Sequence, residues 1–195
     1  MNFVEPIRDR KKIAQIKNLL RGQRRYRDLL LFTVGINTAL RISDLLELRL
    51  SQFLDEKGRI RNHFWIKEQK RGKRHEVVIN ASIREVLQEY LAEFPAIRKN
   101  ALNFFFSFPH HNDYTKHIRR GQAWKFITSI CHDVGLAGNF GTHSLRKTWG
   151  YHARMSGVDV ALIMHKLNHE SIAYTKRYLG ITDDELQAVA HRLNL

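Results

Sequence analysis

Cysteine is almost missing from this sequence: Cys131 stands alone among 195 residues. One thiol excludes an intramolecular disulfide and every CxxC-type zinc or redox motif, and it points to a reducing, intracellular setting. Long hydrophobic runs are lacking as well. The longest mostly apolar stretch, 29–40, is interrupted by Thr33, Gly35, Asn37 and Thr38 and is too short to span a bilayer, so no membrane association is expected. Met1 is followed by Asn2, Glu5 and Pro6 instead of an apolar segment, which removes the signature of a secretory leader. With no internal repeat, linker or low-complexity segment, the expectation is a single domain over 1–195. Negative charge is the remaining deficit: 19 Asp plus Glu face 33 Lys plus Arg, a formal net charge of +14. The basic residues recur along the whole chain, which suits a polyanionic partner.

What is present is enough to fold, since 43% of the residues are hydrophobic. Ile13, Ile16, Leu19 and Leu20 at helical spacing predict a helix over 8–20, and the apolar stretch 29–36 predicts a buried core helix. A short helix follows Arg41, with Leu45 and Leu48 inward. Between 59 and 79 the texture becomes extended around the turn Lys70-Arg71-Gly72-Lys73, which reads as a β-hairpin with a basic tip. Helical periodicity resumes over 82–94, capped by Ser82, and over 121–134, with Trp124, Ile127, Ile130 and Cys131 inward. Further helices are expected from Thr142, as N-cap, to Gly157, over 159–166, and over 183–195. Phe104, Phe105 and Phe106 read as core. The expected fold is mainly α with one small antiparallel β-hairpin.

Candidate chemistry concentrates in Thr142-His143-Ser144-Leu145-Arg146-Lys147. At a helix start, His143 and Arg146 share one face, where backbone N–H groups and the helix dipole favour an anion. The same field disfavours imidazolium, so His143 is expected to be neutral and able to accept a proton. Arg41, bracketed by apolar sequence, needs a partner if desolvated, and Asp44 three residues on can orient it. Lys70, Arg71, Lys73 and Arg74 at the hairpin tip can meet a DNA groove, and Lys147 is a further candidate for that contact. His110, His111 and Asp113 make no metal shell, because adjacent histidines point in different directions.

Taken in order, Thr38-Ala39-Leu40-Arg41-Ile42-Ser43-Asp44-Leu45-Leu46-Glu47-Leu48, the hairpin lysine, His143-Ser144-Leu145-Arg146, Leu167-Asn168-His169-Glu170-Ser171 and Thr175-Lys176-Arg177-Tyr178 resemble the catalytic domain of the tyrosine recombinases, or phage integrase family. His143 and His169 are 26 residues apart and His169 and Tyr178 nine, as is typical of that family. The resemblance implies a tyrosine recombinase catalytic-domain fold and site-specific DNA recombination through a 3′-phosphotyrosyl intermediate, with neither metal nor ATP and no cofactor. It implies catalytic roles for six residues. Tyr178 is the nucleophile, Arg41 and Arg146 the phosphate clamp, and His143 the proton acceptor. Lys70 is the general acid, with Lys73 as competitor, and His169 a donor to the phosphate. Tyr174 is a rival nucleophile at a spacing that does not fit. Nine residues are about two and a half helical turns, so the helix must break between His169 and Tyr178, or the tyrosine must move in.

The family often carries an N-terminal core-binding domain that this chain does not show. The expectation is a fragment or a short single-domain recombinase similar to the fimbrial phase-switch invertases. Double-stranded DNA is the implied substrate, bound by a homodimer or tetramer in which the helix over 183–195 docks in trans. An accessory DNA-bending protein or second recombinase can join that assembly. A prokaryotic, cytoplasmic enzyme, of phage, plasmid or transposon origin, is implied. Two other readings share these residues: a type IB topoisomerase that relaxes DNA, and a non-catalytic DNA-binding protein on the same fold.

Overall fold

The computed structural model describes residues 4–70 and 72–180, and the chain divides into two compact units, Met1–Trp149 and Gly150–Leu195. Arg71 and the helix expected over 183–195 lie outside the described residues.

In the first unit, α1 (Arg10–Gly22) begins where Asp9 accepts the Lys11 N–H at 2.7 Å, two residues later than periodicity predicts. Helix α2 (Tyr26–Thr38) is apolar almost all round, with Leu29, Leu30, Leu31, Phe32 and Val34 fully buried. It packs against α1 and against α5 (Ala81–Glu93), which makes it the centre of the unit. The cap of α5 is Asn80, whose side chain accepts the Ile83 N–H at 3.0 Å, and not Ser82. Asn80 sits in extended backbone with its carbonyl-bearing side chain free to turn back, whereas Ser82 is already helical.

Two short helices, α3 (Ile42–Leu46) and α4 (Leu50–Phe53), lead into the hairpin of β1 (His63–Lys67) and β2 (Arg74–Val78). The strands are antiparallel, in register from His63↔Val78 to Lys67↔Arg74, and bury Phe64 and Val77. The expected hairpin and its basic turn are therefore present. Phe105 and Phe106 are core, as expected, with Phe105 ringed by Phe53 and Tyr90 and its carbonyl accepting the Tyr90 hydroxyl at 2.9 Å. In α6 (Arg120–Asp133) the inward set is Ala123, Phe126, Ile127, Ile130 and Cys131. Trp124, read as inward, is 49% exposed, because it lies at the edge of the buried arc, about 100° round the helix from Ala123, and its indole lies beside Gly141.

Helix α7 (Thr142–Met155) follows α6 and carries the His143 motif. Its docking on α2 depends on a missing side chain: a Cβ on Gly35 would stand 2.5 Å from Leu145 Cδ1 and 3.2 Å from Leu145 Cβ. Leu145 is 1% exposed and has no empty direction to retreat into. Gly35→Ala is expected to destabilise the protein by about 1–3 kcal/mol, read as a lower urea midpoint at unchanged slope.

The second unit, described through Gly180, contains the last turns of α7, then α8 (Val160–Lys166), capped by Asp159, and α9 (Ile172–Leu179), capped by Ser171. Ile163, Leu167 and Leu179 are its buried apolar residues. Leu179 and Leu167 converge on Gly150, where a Cβ would stand 2.7 Å from Leu179 Cδ2. Among the described residues, no helix is long and apolar enough to cross a membrane.

Candidate active site

The first unit gathers Arg41, Asp44, His143 and Arg146 around the turn that ends α2. Ala39 takes the left-handed conformation there, φ 60°, at a cost of about 1–2 kcal/mol for a residue with a Cβ. That turn aims the Ala39 carbonyl at Arg146, whose Nη1 donates to it at 2.6 Å. Arg146 is 3% exposed, so its guanidinium is held within the protein rather than on a solvated helix face.

Arg41 is held by a residue that sequence reasoning missed. Its Nη1 pairs with Glu68 Oε2 at 2.7 Å, and the Glu68 side chain is completely buried. Asp44, expected to orient Arg41, instead accepts the Gln69 N–H at 2.9 Å. The cause is geometric: Asp44 is inside α3 and points towards the strand end, while Arg41 precedes the helix in extended backbone. The Arg41 and Arg146 charges still act on the Asp44 carboxyl. Burial raises its pKa, the Gln69 N–H opposes that, Glu68 adds to it and the two arginines oppose it.

Thr142 is the first residue of α7, and the cap position falls to Gly141, whose N–H is taken by Ser144 Oγ at 3.1 Å. The correction moves the start by one residue and leaves His143 in the first turn. Burial, followed by the charges of Arg146, Arg120, Arg41 and Lys147, lowers the His143 pKa. The neutral form expected from the sequence therefore has its cause in the pocket and its cations. His143 keeps an exposed edge from which to receive a proton.

Lys70, Lys73 and Arg74 are exposed at the hairpin turn and its return, the last with its guanidinium 5.0 Å from the Trp65 ring centre. Lys147 is different. It is 5% exposed, which withdraws it from the surface contacts to a phosphate backbone assigned to it, and burial lowers its ammonium pKa to about 8, with Glu5 opposing. Its position in α7 points into the unit, a direction that the basic sequence context conceals. Below about pH 8 the folded and the unfolded chain both carry the charge, and the group adds no pH dependence. Between 8 and about 10.4 the unfolded chain binds more protons, so stability rises with pH. Lys147→Met is expected to remove this rise, so that the urea midpoint depends less on pH between about 8 and 10 than in the wild type, read in urea unfolding along a pH series.

The second unit carries the other group. Asn168 adopts φ 47° after α8, and α9 starts only at Ile172, so the chain breaks between His169 and Tyr178 as the spacing required. The His169 ring centre lies 4.8 Å from that of Tyr178 and 4.7 Å from that of Tyr174. Proximity to His169 thus does not separate the two tyrosines. Burial does, since Tyr174 is 54% exposed and Tyr178 partly buried. Thr175 Oγ1 donates to the Ser171 carbonyl at 3.0 Å and lies 3.1 Å from His169 Nδ1. A hydroxyl has one hydrogen, so Nδ1 carries its own and donates to Thr175. His169 Nε2 is then an acceptor in the neutral ring and a donor in the imidazolium.

Known proteins resemble this chain over most of its length. The sequence profile described as "Phage integrase family" matches residues 9–185. The chain is 35% identical over 188 residues to the probable integrase/recombinase YoeC of Bacillus subtilis (strain 168), covering 96% of each protein. It is 27% identical over 157 residues to the tyrosine recombinase XerC of Thermodesulfovibrio yellowstonii, covering 80% of this chain and 50% of that one. The crystal structure of the XerH site-specific recombinase, in a post-cleavage complex with a palindromic difH substrate, superposes with a TM-score of 0.72 at 20% identity. It covers 100% of this chain and 54% of that chain, and at this identity the likeness is one of fold. The chain thus spans nearly all of the first relative and about half of the other two.

Proposed function

Because this chain belongs to the phage integrase family, we propose that it is a tyrosine-type site-specific DNA recombinase that cuts and rejoins double-stranded DNA by transesterification. The observation that carries the reading is the convergence of the Arg41 and Arg146 charges on His143 at the start of α7. An attacked phosphodiester gains negative charge on its non-bridging oxygens, and two planar guanidinium forks stabilise that charge as it forms. Tyr178 attacks the phosphorus, the P–O5′ bond breaks, and a 3′-phosphotyrosyl link and a 5′-hydroxyl result. A neutral His143 takes the phenolic proton, which a tyrosine with a pKa of about 10 does not give up unaided at neutral pH. Lys70 supplies the proton to the leaving 5′-oxygen, and His169 donates a hydrogen bond to the phosphate. Attack by the 5′-hydroxyl of a partner strand reverses the step and joins the new strands.

Lys73 and Arg74 of the hairpin, together with Arg71, contact the DNA backbone. The enzyme works in the prokaryotic cytoplasm as a dimer or tetramer on its site, a mode for which a single nucleophile per chain and two-stranded exchange give the reason. The reading is tested with a duplex nicked just 3′ of the scissile phosphate, so that the cleaved fragment diffuses away, incubated with protein in excess chelator. A denaturant-resistant protein–DNA adduct, with exchange of flanking DNA on intact sites, is the expected result. Tight binding without any adduct would overturn the enzymatic reading in favour of a DNA-docking role.

A further inference from the structure

Glu68 lies in Lys67-Glu68-Gln69-Lys70, a context that reads as a solvated loop, yet it is 1% exposed. An ionised carboxylate taken out of water costs several kcal/mol unless it is paired in good geometry, so its burial calls for a reason. Its Oε2 accepts from Arg41 Nη1 at 2.7 Å, and its Oε1 lies 3.4 Å from His75 Nδ1 on the facing strand. His75 Nε2 in turn is 3.3 Å from the Thr38 carbonyl, one residue before the Ala39 carbonyl that holds Arg146. The main chain of Glu68 also closes the hairpin turn: its N–H donates to the Lys73 carbonyl at 2.9 Å, and its carbonyl accepts the Gly72 N–H at 2.8 Å. Asp44 fixes the next residue through the Gln69 N–H. Lys70 stands two residues beyond Glu68, on the turn whose stem these bonds define.

We infer that Glu68 is a positioning residue that sets the Arg41 guanidinium and ties it to the turn bearing Lys70. The inference rests on the reading of Arg41 as a phosphate clamp. A guanidinium has five N–H donors, and the Glu68 bond engages one of them from the protein side, which leaves the fork oriented for a phosphate. The anchor costs little extra mobility to maintain, because the main chain that bears the carboxylate is itself fixed by the hairpin turn. Arg41 is thus aimed by the strand pair, and any displacement of the hairpin moves the clamp with the lysine.

Two measurements test this with Glu68→Gln, which keeps the shape and removes the charge, and Glu68→Asp, which keeps the charge and withdraws it by one methylene. The first needs no DNA: modification of Arg41 by phenylglyoxal, followed by peptide mass, is expected to be several-fold faster in both variants than in wild type. Equal rates in variants that unfold cooperatively would overturn the proposal. The second is single-turnover adduct formation at saturating nicked duplex, where Glu68→Gln is expected to lower the rate by about 10²-fold with little change in the half-saturating DNA concentration. In an Arg41→Ala background the same substitution is expected to have almost no further effect. An equal loss in both backgrounds would assign Glu68 a general structural role and overturn its action through Arg41. Absence of an adduct from the wild type, with Arg41 still shielded by Glu68, would defeat the recombinase reading and leave the positioning intact.

Discussion

Tyr178→Phe is expected to abolish the covalent protein–DNA adduct, a loss of at least about 10⁴-fold, while Tyr174→Phe leaves the adduct in place. The contrast matters because the two rings are almost equally near His169, at 4.8 and 4.7 Å, and stack against each other with centres 6.3 Å apart. They sit four residues apart on α9, one turn above the other on the same face. Removing the Tyr178 oxygen leaves the ring, its packing and the protein charge unchanged, so DNA binding at a given salt is expected to persist. Adduct formation is read on denaturing gels with a nicked duplex, and binding by titration of the same duplex. Persistence of the adduct in Tyr178→Phe together with its loss in Tyr174→Phe would transfer the nucleophile to Tyr174.

Arg146→Lys is expected to lower the rate of adduct formation by about 10²–10³-fold although the charge is conserved. Arg146 does two things with one planar group: Nη1 satisfies the Ala39 carbonyl at 2.6 Å, and the rest of the fork is oriented by that bond. An ammonium is a point charge without a fork and does not reproduce both contacts. Losing the bond leaves a buried carbonyl on a turn already strained at φ 60°, an expected cost of about 1–3 kcal/mol in urea unfolding. The salt dependence of DNA binding is expected to stay the same, because the number of neutralised phosphates does not change. A rate within a few fold of wild type would show that Arg146 serves as charge alone.

The helices and the hairpin were legible because each is encoded locally, by an apolar period of 3.6 in α1 and α5 and by alternation about a glycine turn in β1 and β2. The candidate site residues stand out as short motifs in order, and the chain break before Tyr178 followed from counting helical turns. What was not legible depends on distance in sequence. Glu68 is 27 residues from Arg41, and a carboxylate amid lysines and a glutamine carries no local sign of burial. Asp44, at helical spacing from Arg41, looked like its natural partner until the strand end supplied a backbone N–H to compete for it. Lys147 and Trp124 failed in the opposite sense. Lys147 was read by its charge and Trp124 by helical period, and the packing of the helices put the lysine in and left the indole at the edge of the buried face.

The burial of charge around α7 has a thermodynamic meaning for the molecule as a whole. Arg41, Arg146 and Lys147 are largely removed from water, and His143 is pressed towards neutrality by them, with Asp44 and Glu68 as carboxylates among them. Folding takes these charged groups out of water, so part of the stability gained elsewhere offsets the cost of burying them. A phosphodiester bound beside them adds a favourable charge contact that the unfolded chain does not hold in place. Occupancy and folding are then linked: ligand at a hundredfold excess over its dissociation constant adds about 2.7 kcal/mol, and the melting temperature of the protein becomes a gauge of how much nucleic acid it carries.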